Sequence, residues 1–444
     1  MKPQPLTLDN QTEFGVAARF VREHGACLRF CPATGTWYRW SGTYWEPDRL
    51  LGRERMAKGT MAALIADAKR LPEAAARDAV KWARRFQSRR VMAAVMDLAR
   101  SEPPITVLPE QLDAHPMLLA VANGTLDLRT GRLRASRPAD LITRASPVRY
   151  DPGATCPRWM RFLEEVTGGD AEVQEYLRRW CGYTLTGETG EQALVILHGN
   201  GSNGKSTFAK ALLALLGDGL ARRAPPNLLM ARRNEAHPTE LMEVRGRRLV
   251  IVPEVPRAAT FDEERVKTLT GSDPVSARGM YQDFSSFPDT AKLVVLANHL
   301  PAVRDASHAF WRRIRVVPFP TRFALDRGFE ARLLRELPGI LTWAAQGCLG
   351  WQRDGLGTAA AIDLATATYR GEQPLFGEFL DGIDEATSRS GLRTSELAEI
   401  YANWAAARSQ PAMTGYEIGA RMTDYGWLPC AFGHESARGW RKVR

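Results

Sequence analysis

Lysine is scarce in this sequence. It occurs nine times (Lys2, Lys58, Lys69, Lys81, Lys205, Lys210, Lys267, Lys292 and Lys442) among 60 basic residues, so arginine carries nearly all the positive charge. A lysine inside a conspicuous motif is therefore informative. Cysteine is scarcer: six residues, Cys27, Cys31, Cys156, Cys181, Cys348 and Cys430, with no CxxC pair among them. That argues against a zinc ribbon or a disulfide framework and leads us to expect a reducing, cytoplasmic setting. No apolar run approaches the ~20 residues that cross a bilayer, so no membrane partner is expected. The opening MKPQPLTLDNQTEF has neither the basic nor the apolar region of a signal peptide. Internal repeats and low-complexity segments are also missing.

What is present is ordinary globular material. The 444 residues are 44% hydrophobic and 25% charged, which excludes wholesale disorder, and the length suits about three domains. The net charge is +10, as suits a polyanion-binding protein or simply a basic enzyme. The excess is localised. Between Arg49 and Arg100 there are thirteen Arg or Lys against five acids, an excess of eight. Arg84, Arg85, Arg89 and Arg90 form its densest cluster. Such a run is either a solvated helix face or a surface that tracks phosphates.

Periodicity divides the chain. Residues 14–50 read as a short helix and a small β element. TWYRWSGTYWEPD alternates as a hairpin turning at Ser41-Gly42. Its tryptophans, Trp37, Trp40 and Trp45, favour a local core over a base-stacking surface. Residues 53–100 read as helical, with Pro72 opening a second helix. Asn123-Gly124 and Thr130-Gly131 predict hairpin turns within 117–150. Helices are expected at 156–186, an α/β segment at about 191–320, and helices again at 328–352.

The strongest signal is ALVILHGNGSNGKSTFAKALLALLG. The apolar run Ala193–Leu197 reads as a buried strand. Gly199, Asn200, Gly201, Ser202, Asn203, Gly204, Lys205 and Ser206 then satisfy GxxxxGK[ST], followed by Thr207 and an amphipathic helix stopping at Gly217. Glycines let backbone N–H groups turn inward around phosphate oxygens, and the helix N-terminus adds positive potential. Lys205 is placed to reach the β/γ-phosphates, and the Ser206 hydroxyl to bind Mg²⁺. ATP and Mg²⁺ are the expected substrate and metal.

The downstream order narrows the chemistry. LVIVPEV is an apolar strand ending at Glu254, whose carboxylate can hold the Mg²⁺ shell and polarise water. KLVVLANHLPAV is a second buried strand, ending at Asn298, which can sense the γ-phosphate. Between them, residues 266–290 carry Lys267, Arg278, Tyr281 and Gln282, suited to an exposed hairpin tip. FWRRIRVVPF puts Arg312 and Arg313 just before a strand, where arginines can reach a neighbouring subunit's nucleotide.

The order GNGSNGKST, RLVIVPE, LTGSDPVSAR, LVVLANHLP and WRRIRVVPF resembles superfamily 3 helicases, especially the phage and plasmid branch of primase–helicases related to the poxvirus primase-helicase. The resemblance covers about 14–370. It implies an AAA+-type P-loop ATPase core behind a mainly helical collar, assembled as a homo-hexamer that translocates on single-stranded DNA and unwinds forked duplex. It also implies a bacterial host cytoplasm and a replication setting. Carried across by motif, Lys205 and Ser206 hold phosphates and metal, Glu254 is the Walker B acid, Asn298 the sensor, and Arg313 the trans-acting finger with Arg312 next in line. The hairpin at 276–288 corresponds to the DNA-gripping loop. Arg278 and Tyr281 are the first choices for gripping residues, with Lys267 and Lys292 behind them.

Two features depart from the family. Pro253 precedes Glu254 where many members carry two adjacent acids, so one carboxylate serves metal and water or another residue helps. No acid cluster of the polymerase type is evident either, so priming is expected from a separate primase or initiation partner. The C-terminal part reads as a winged helix with Arg438, Trp440, Arg441, Lys442 and Arg444 in the wing, serving either DNA binding or protein docking. The expected division is α/β overall: a basic collar-type domain at 1–110, a β-hairpin connector at 111–155, the ATPase at 156–370 and the winged-helix-like domain at 371–444. Two rival functions remain: an initiator that assembles on DNA with ATP but does not unwind processively, and a P-loop small-molecule kinase.

Overall fold

The computed structural model describes residues 12–442 other than 232–237, 255–258, 272, 279–283, 288, 304–307, 325, 373–375, 384, 408–411, 423–424 and 433–436. The first helix, α1 (Glu13–His24), is capped by Thr12, whose hydroxyl accepts from the Gly15 N–H at 3.0 Å. Three antiparallel strands follow, β1 (Leu28–Cys31), β2 (Thr36–Trp40) and β3 (Trp45–Pro47), and Trp40 pairs with Trp45 across the expected turn. Trp45 is fully buried and donates its indole N–H to the Pro138 carbonyl at 2.8 Å, while Trp37 packs on Phe30. Burial explains these two tryptophans.

Three helices come next: α2 (Gly52–Ala68), α3 (Glu73–Arg85) and α4 (Arg89–Ala99). Sequence reasoning found the break at Pro72 but not the one at Gln87-Ser88. There the Ser88 hydroxyl caps α4 by accepting from the Val91 N–H. Val16, Met61, Leu64, Ala83 and Val95 form the core that these helices share with α1.

The meander β4 (Leu118–Val121), β5 (Gly124–Asp127) and β6 (Arg132–Arg134) turns where Asn123-Gly124 and Thr130-Gly131 predicted. The segment 111–155 is more than a connector. Leu119, Val121, Leu126, Leu128, Val148 and Tyr150 join one continuous core with α5 (Pro157–Val166), α6 (Ala171–Thr184) and the main sheet. A small meander with an apolar face needs such cover.

The main sheet contains β7 (Leu194–His198), β8 (Ala221–Arg223), β9 (Leu249–Val252), β12 (Lys292–Ala297) and β13 (Ile314–Pro318). All neighbours are parallel, in the order β13-β7-β12-β9-β8. Helix α7 (Lys205–Leu220) connects β7 to β8; α8 (Glu263–Leu269) and the antiparallel pair β10 (Val275–Arg278) and β11 (Phe284–Phe287) lie between β9 and β12. The short α9 (His308–Trp311) precedes β13. Side chains alternate between two covered faces. Val195, Leu197, Ile251 and Val294 join the core under α5–α7, whereas Leu194, Ile196, Val250 and Val295 join a second core with Phe261, Phe310 and Tyr369. Burial on both faces is why these strands read as continuous apolar runs.

After the sheet come α10 (Phe329–Leu334), α11 (Leu337–Asp354) and α12 (Ala360–Glu372). Helix α11 lies against α6 so closely that a Cβ at Gly182 would sit 2.0 Å from the Cys348 nitrogen. The last part has its own core of Phe376, Leu397, Tyr401, Ile418 and Trp427. It contains α13 (Phe376–Asp381), α14 (Glu385–Ser390), β14 (Leu392–Arg393), α15 (Thr394–Ala406), α16 (Gly415–Met422), β15 (Trp427–Phe432) and β16 (Ala437–Lys442). Its strands order as β14-β16-β15, all antiparallel. Among the described residues, no helix is long and apolar enough to cross a membrane.

Candidate nucleotide-binding site

Parallel strands open their carboxyl ends toward one side, and ligands of α/β sheets bind there. Three neighbouring strands deliver three polar side chains to that edge. Lys205 follows β7 through the glycine-rich loop, Asn298 follows β12, and Glu254 lies two residues past β9. The Lys205 ammonium donates to the Asn298 side-chain oxygen at 2.8 Å, the Asn203 side-chain oxygen at 2.9 Å and the Gly199 carbonyl at 2.6 Å. The Asn298 amide nitrogen in turn donates to Glu254 Oε1 at 2.5 Å. Lysine, asparagine and acid therefore form one hydrogen-bonded chain.

Lys205 is only 4% exposed. Burial pushes its ammonium down to about 8 from the usual 10.5, while the Glu254 charge acts the other way. Three uncharged acceptors partly offset the desolvation. A polyanion arriving at the loop would supply the missing negative charge.

The loop is built for that. The backbone N–H groups of Asn203, Gly204, Lys205 and Ser206 make no hydrogen bond among the described residues. They converge at the first turn of α7, where unpaired N–H groups and the helix dipole favour an anion. Gly204 has φ +86°, and a Cβ there would sit 2.7 Å from Val166 Cγ1. Both constraints require glycine, and they show α5 pressed against the loop. Ser206 is exposed at the same turn, and Glu254 is exposed at the edge of the sheet. A hydroxyl and a carboxylate are hard oxygen donors, which fit Mg²⁺ completed by phosphate and water. Among the described residues no group of three or more His, Cys, Asp or Glu could hold a metal alone.

The segment after β13 closes the site from the other side. The Phe319 N–H donates to the His198 carbonyl at 2.8 Å and the Phe323 N–H to the Ser202 carbonyl at 2.8 Å. The Asn203 amide donates to the Phe319 carbonyl at 3.2 Å. Arg322, which sequence reasoning missed, is exposed beside the loop, with Nη2 3.5 Å from the Asn200 carbonyl. The available signal was a lone arginine four residues past the end of a sheet strand.

The arginine pair lies elsewhere. Ile314 is in register with Leu194, so Arg312 and Arg313 sit at the amino ends of the strands, remote from their own phosphate loop. Arg313 is 8% exposed and donates Nη1 to the Ala309 carbonyl, while its Nε has no partner among the described residues. Arg312 is exposed and bonds the Gln192 side chain at 2.5 Å. Arg312 is thus the exposed member of the pair and Arg313 the buried one.

The candidate DNA contacts divide in the same way. Lys292 is not a surface residue: it is 3% exposed and donates to the carbonyls of Thr186, Glu188 and Thr290 under the Tyr183 ring. This corrects its assignment as a DNA contact, because burial leaves its ammonium nothing to reach in solution. Lys267 is half-buried on α8. Arg278 ends β10, and its side chain lies outside the described residues, as does Tyr281. Arg84, Arg85, Arg89 and Arg90 are all exposed around the α3–α4 turn, with no carboxylate within 4 Å among the described residues.

Residues 17–168 match a family model described as D5 N terminal like, and residues 197–313 match a family of unknown function. A provisionally named helicase of Acanthamoeba polyphaga mimivirus is 26% identical over 323 residues, 66% of this chain and 33% of the relative. A provisionally named helicase of Invertebrate iridescent virus 3 is 28% identical over 48% of this chain and 24% of its own length. A provisionally named primase of African swine fever virus is 27% identical over 46% and 22%. Residues 17–168 are thus D5 N-terminal-like, and the chain resembles D5-like primase–helicases of large viruses. The D5-like chain spans between about a fifth and a third of the length of these relatives. It also shares a fold with the apo C-terminal region of NrS-1, at a TM-score of 0.51 and 9% identity, covering 99% of the D5-like chain and 100% of that structure.

Proposed function

We propose that this chain is an ATP-dependent replicative DNA helicase of superfamily 3, from a phage, prophage or plasmid, that works with Mg²⁺ as a homo-hexameric ring on single-stranded DNA. The observation that carries the reading is the hydrogen-bonded chain Lys205–Asn298–Glu254 at the carboxyl edge of adjacent parallel strands. The strand order β13-β7-β12-β9-β8 supports an AAA+-type core, and the order β14-β16-β15 around α15 and α16 supports a winged helix. The names of the viral relatives point the same way.

In this reading Lys205 exchanges its three internal acceptors for the β/γ-phosphates of ATP. Mg²⁺, held by Ser206 and Glu254, would neutralise charge on those phosphates. Asn298, freed from Lys205, orients the attacking water together with Glu254. Arg312 cannot reach its own site, so it serves the nucleotide of the next subunit, with Arg313 packed behind it as support. The hairpin of β10 and β11 grips one strand inside the ring. The exposed arginines of the α3–α4 turn form a basic collar where DNA enters.

Strand displacement on a forked substrate tests the assignment. The helicase reading expects ATP-dependent separation that Lys205→Ala abolishes. An assembly factor or initiator would bind DNA and hydrolyse ATP yet leave the fork intact. A chain that remained monomeric with ATP and DNA would instead favour a small-molecule kinase.

A further inference from the structure

Arg322 is an exposed cation beside the phosphate loop that no sequence motif marks. Its backbone is fixed on both sides. Before it, Phe319 bonds His198 at 2.8 Å and receives the Asn203 amide at 3.2 Å. Just before it, the Thr321 hydroxyl donates to the Glu165 carbonyl at 2.6 Å. After it, the Phe323 N–H bonds the Ser202 carbonyl at 2.8 Å. These anchors fix the backbone at the mouth of the loop, and the exposed Arg322 side chain extends from there toward Asn200.

What it finds there is a poor partner. Among the described residues its side chain has one hydrogen-bonding contact, the Asn200 carbonyl at 3.5 Å, the outer limit of a hydrogen bond. No carboxylate lies within 4 Å of it among the described residues. A guanidinium gains most from a planar pair of anionic oxygens, bound at about 2.7–2.9 Å. Residues 200–202 form the part of such a loop that arches over the outer phosphates of a bound nucleotide. The strongest partner available to Arg322 is therefore one the nucleotide brings.

We propose that Arg322 is a nucleotide-contacting residue acting in its own subunit, closing on the terminal phosphates of a nucleoside triphosphate from the side opposite Lys205. The inference rests on the reading of this site as an ATP site. It gives the site a cation that distinguishes triphosphate from diphosphate, separate from the arginine pair at the far end of the sheet.

Equilibrium binding of a fluorescent, non-hydrolysable ATP analogue and of fluorescent ADP to the full chain tests it. Arg322→Ala should weaken the triphosphate by about tenfold or more, the scale of a charged hydrogen bond, and ADP by at most about threefold. Arg322→Lys should recover part of the loss, and the thermal midpoint should not move. Equal losses for both nucleotides, or a loss accompanied by a lowered midpoint that lysine does not rescue, would assign Arg322 a structural role and overturn the proposal. So would unchanged triphosphate binding. Lys205→Ala serves as the reference: if the unsubstituted chain binds neither nucleotide, or binds both as Lys205→Ala does, the ATP-site reading itself fails.

Discussion

The Lys205 ammonium lies 2.8 Å from the side-chain oxygen of Asn298, although 93 residues separate them. The asparagine is thus one of three internal acceptors of the lysine, and in the proposed ATP site it would compete with phosphate for it. Asn298→Ala should leave triphosphate binding within about threefold, or tighten it, because Lys205 loses an internal competitor. Hydrolysis should fall by about 10²-fold, since a water-orienting group is lost. Steady-state ATPase beside nucleotide titration checks this. A parallel loss of binding and turnover would mean that Asn298 merely supports the loop.

The arginine pair predicts complementation. Arg312→Ala should lose ATPase by about 10³-fold while keeping nucleotide binding and thermal midpoint. Arg313→Ala should lose activity and also lower the midpoint, because its buried guanidinium holds the Ala309 carbonyl. Mixing Arg312→Ala with Lys205→Ala chains should restore partial ATPase, since some interfaces then pair an intact loop with an intact arginine. Mixtures as inactive as either parent would argue against a trans-acting role.

For the collar, the relevant quantity is the salt slope. Reversing Arg84, Arg85, Arg89 and Arg90 to glutamate should weaken single-stranded DNA binding. It should also lower the slope of log K against log salt, by about 0.7 for each phosphate that the collar no longer neutralises. DNA-independent ATPase should persist. An unchanged slope would return the four arginines to the role of a solvated helix face.

Asp289 is buried, with one oxygen bonded to the Ala291 N–H at 2.9 Å and the other unpartnered among the described residues. Burial pushes its carboxyl up to about 6 from the usual 3.8. The fold therefore prefers the protonated form. Its contribution is fully favourable below the unfolded value and is lost as pH rises through about 6. Asp289→Asn should stabilise the chain at pH 7 by about 1–2 kcal/mol, and the gain should vanish by about pH 4. Denaturant midpoints across pH 4–8 would measure it, and a pH-independent gain would refute the cause assigned.

Much of the site was readable before the structure because its signals are local. A glycine loop between a strand and a helix is one contiguous segment, and Glu254 and Asn298 each end an apolar run. Burial was harder to read. Lys292 looks like any basic residue until Thr186, Glu188 and Thr290 are seen around it, and the first two carbonyls come from a segment more than 100 residues away. Which of Arg312 and Arg313 faces outward is set by a single tight turn, which spacing does not encode. Arg322 has no motif at all; its meaning comes from hydrogen bonds that join 319–323 to 198–203. The break between α3 and α4 was legible in principle, through Ser88 as a cap, but α-helical periodicity on both sides masked it.

Strand β13 is only five residues long, about 16 Å from end to end. Its first end adjoins the arginines remote from their own phosphate loop, and its last end feeds the segment clasping that loop. In a closed ring, one short rod would then have a foot in each of two adjacent motors. Any shift of the rod along its axis, prompted by what the neighbour holds, would tug on the home loop within a single rigid element. Firing in sequence around such a ring would need no longer signalling path than this strand.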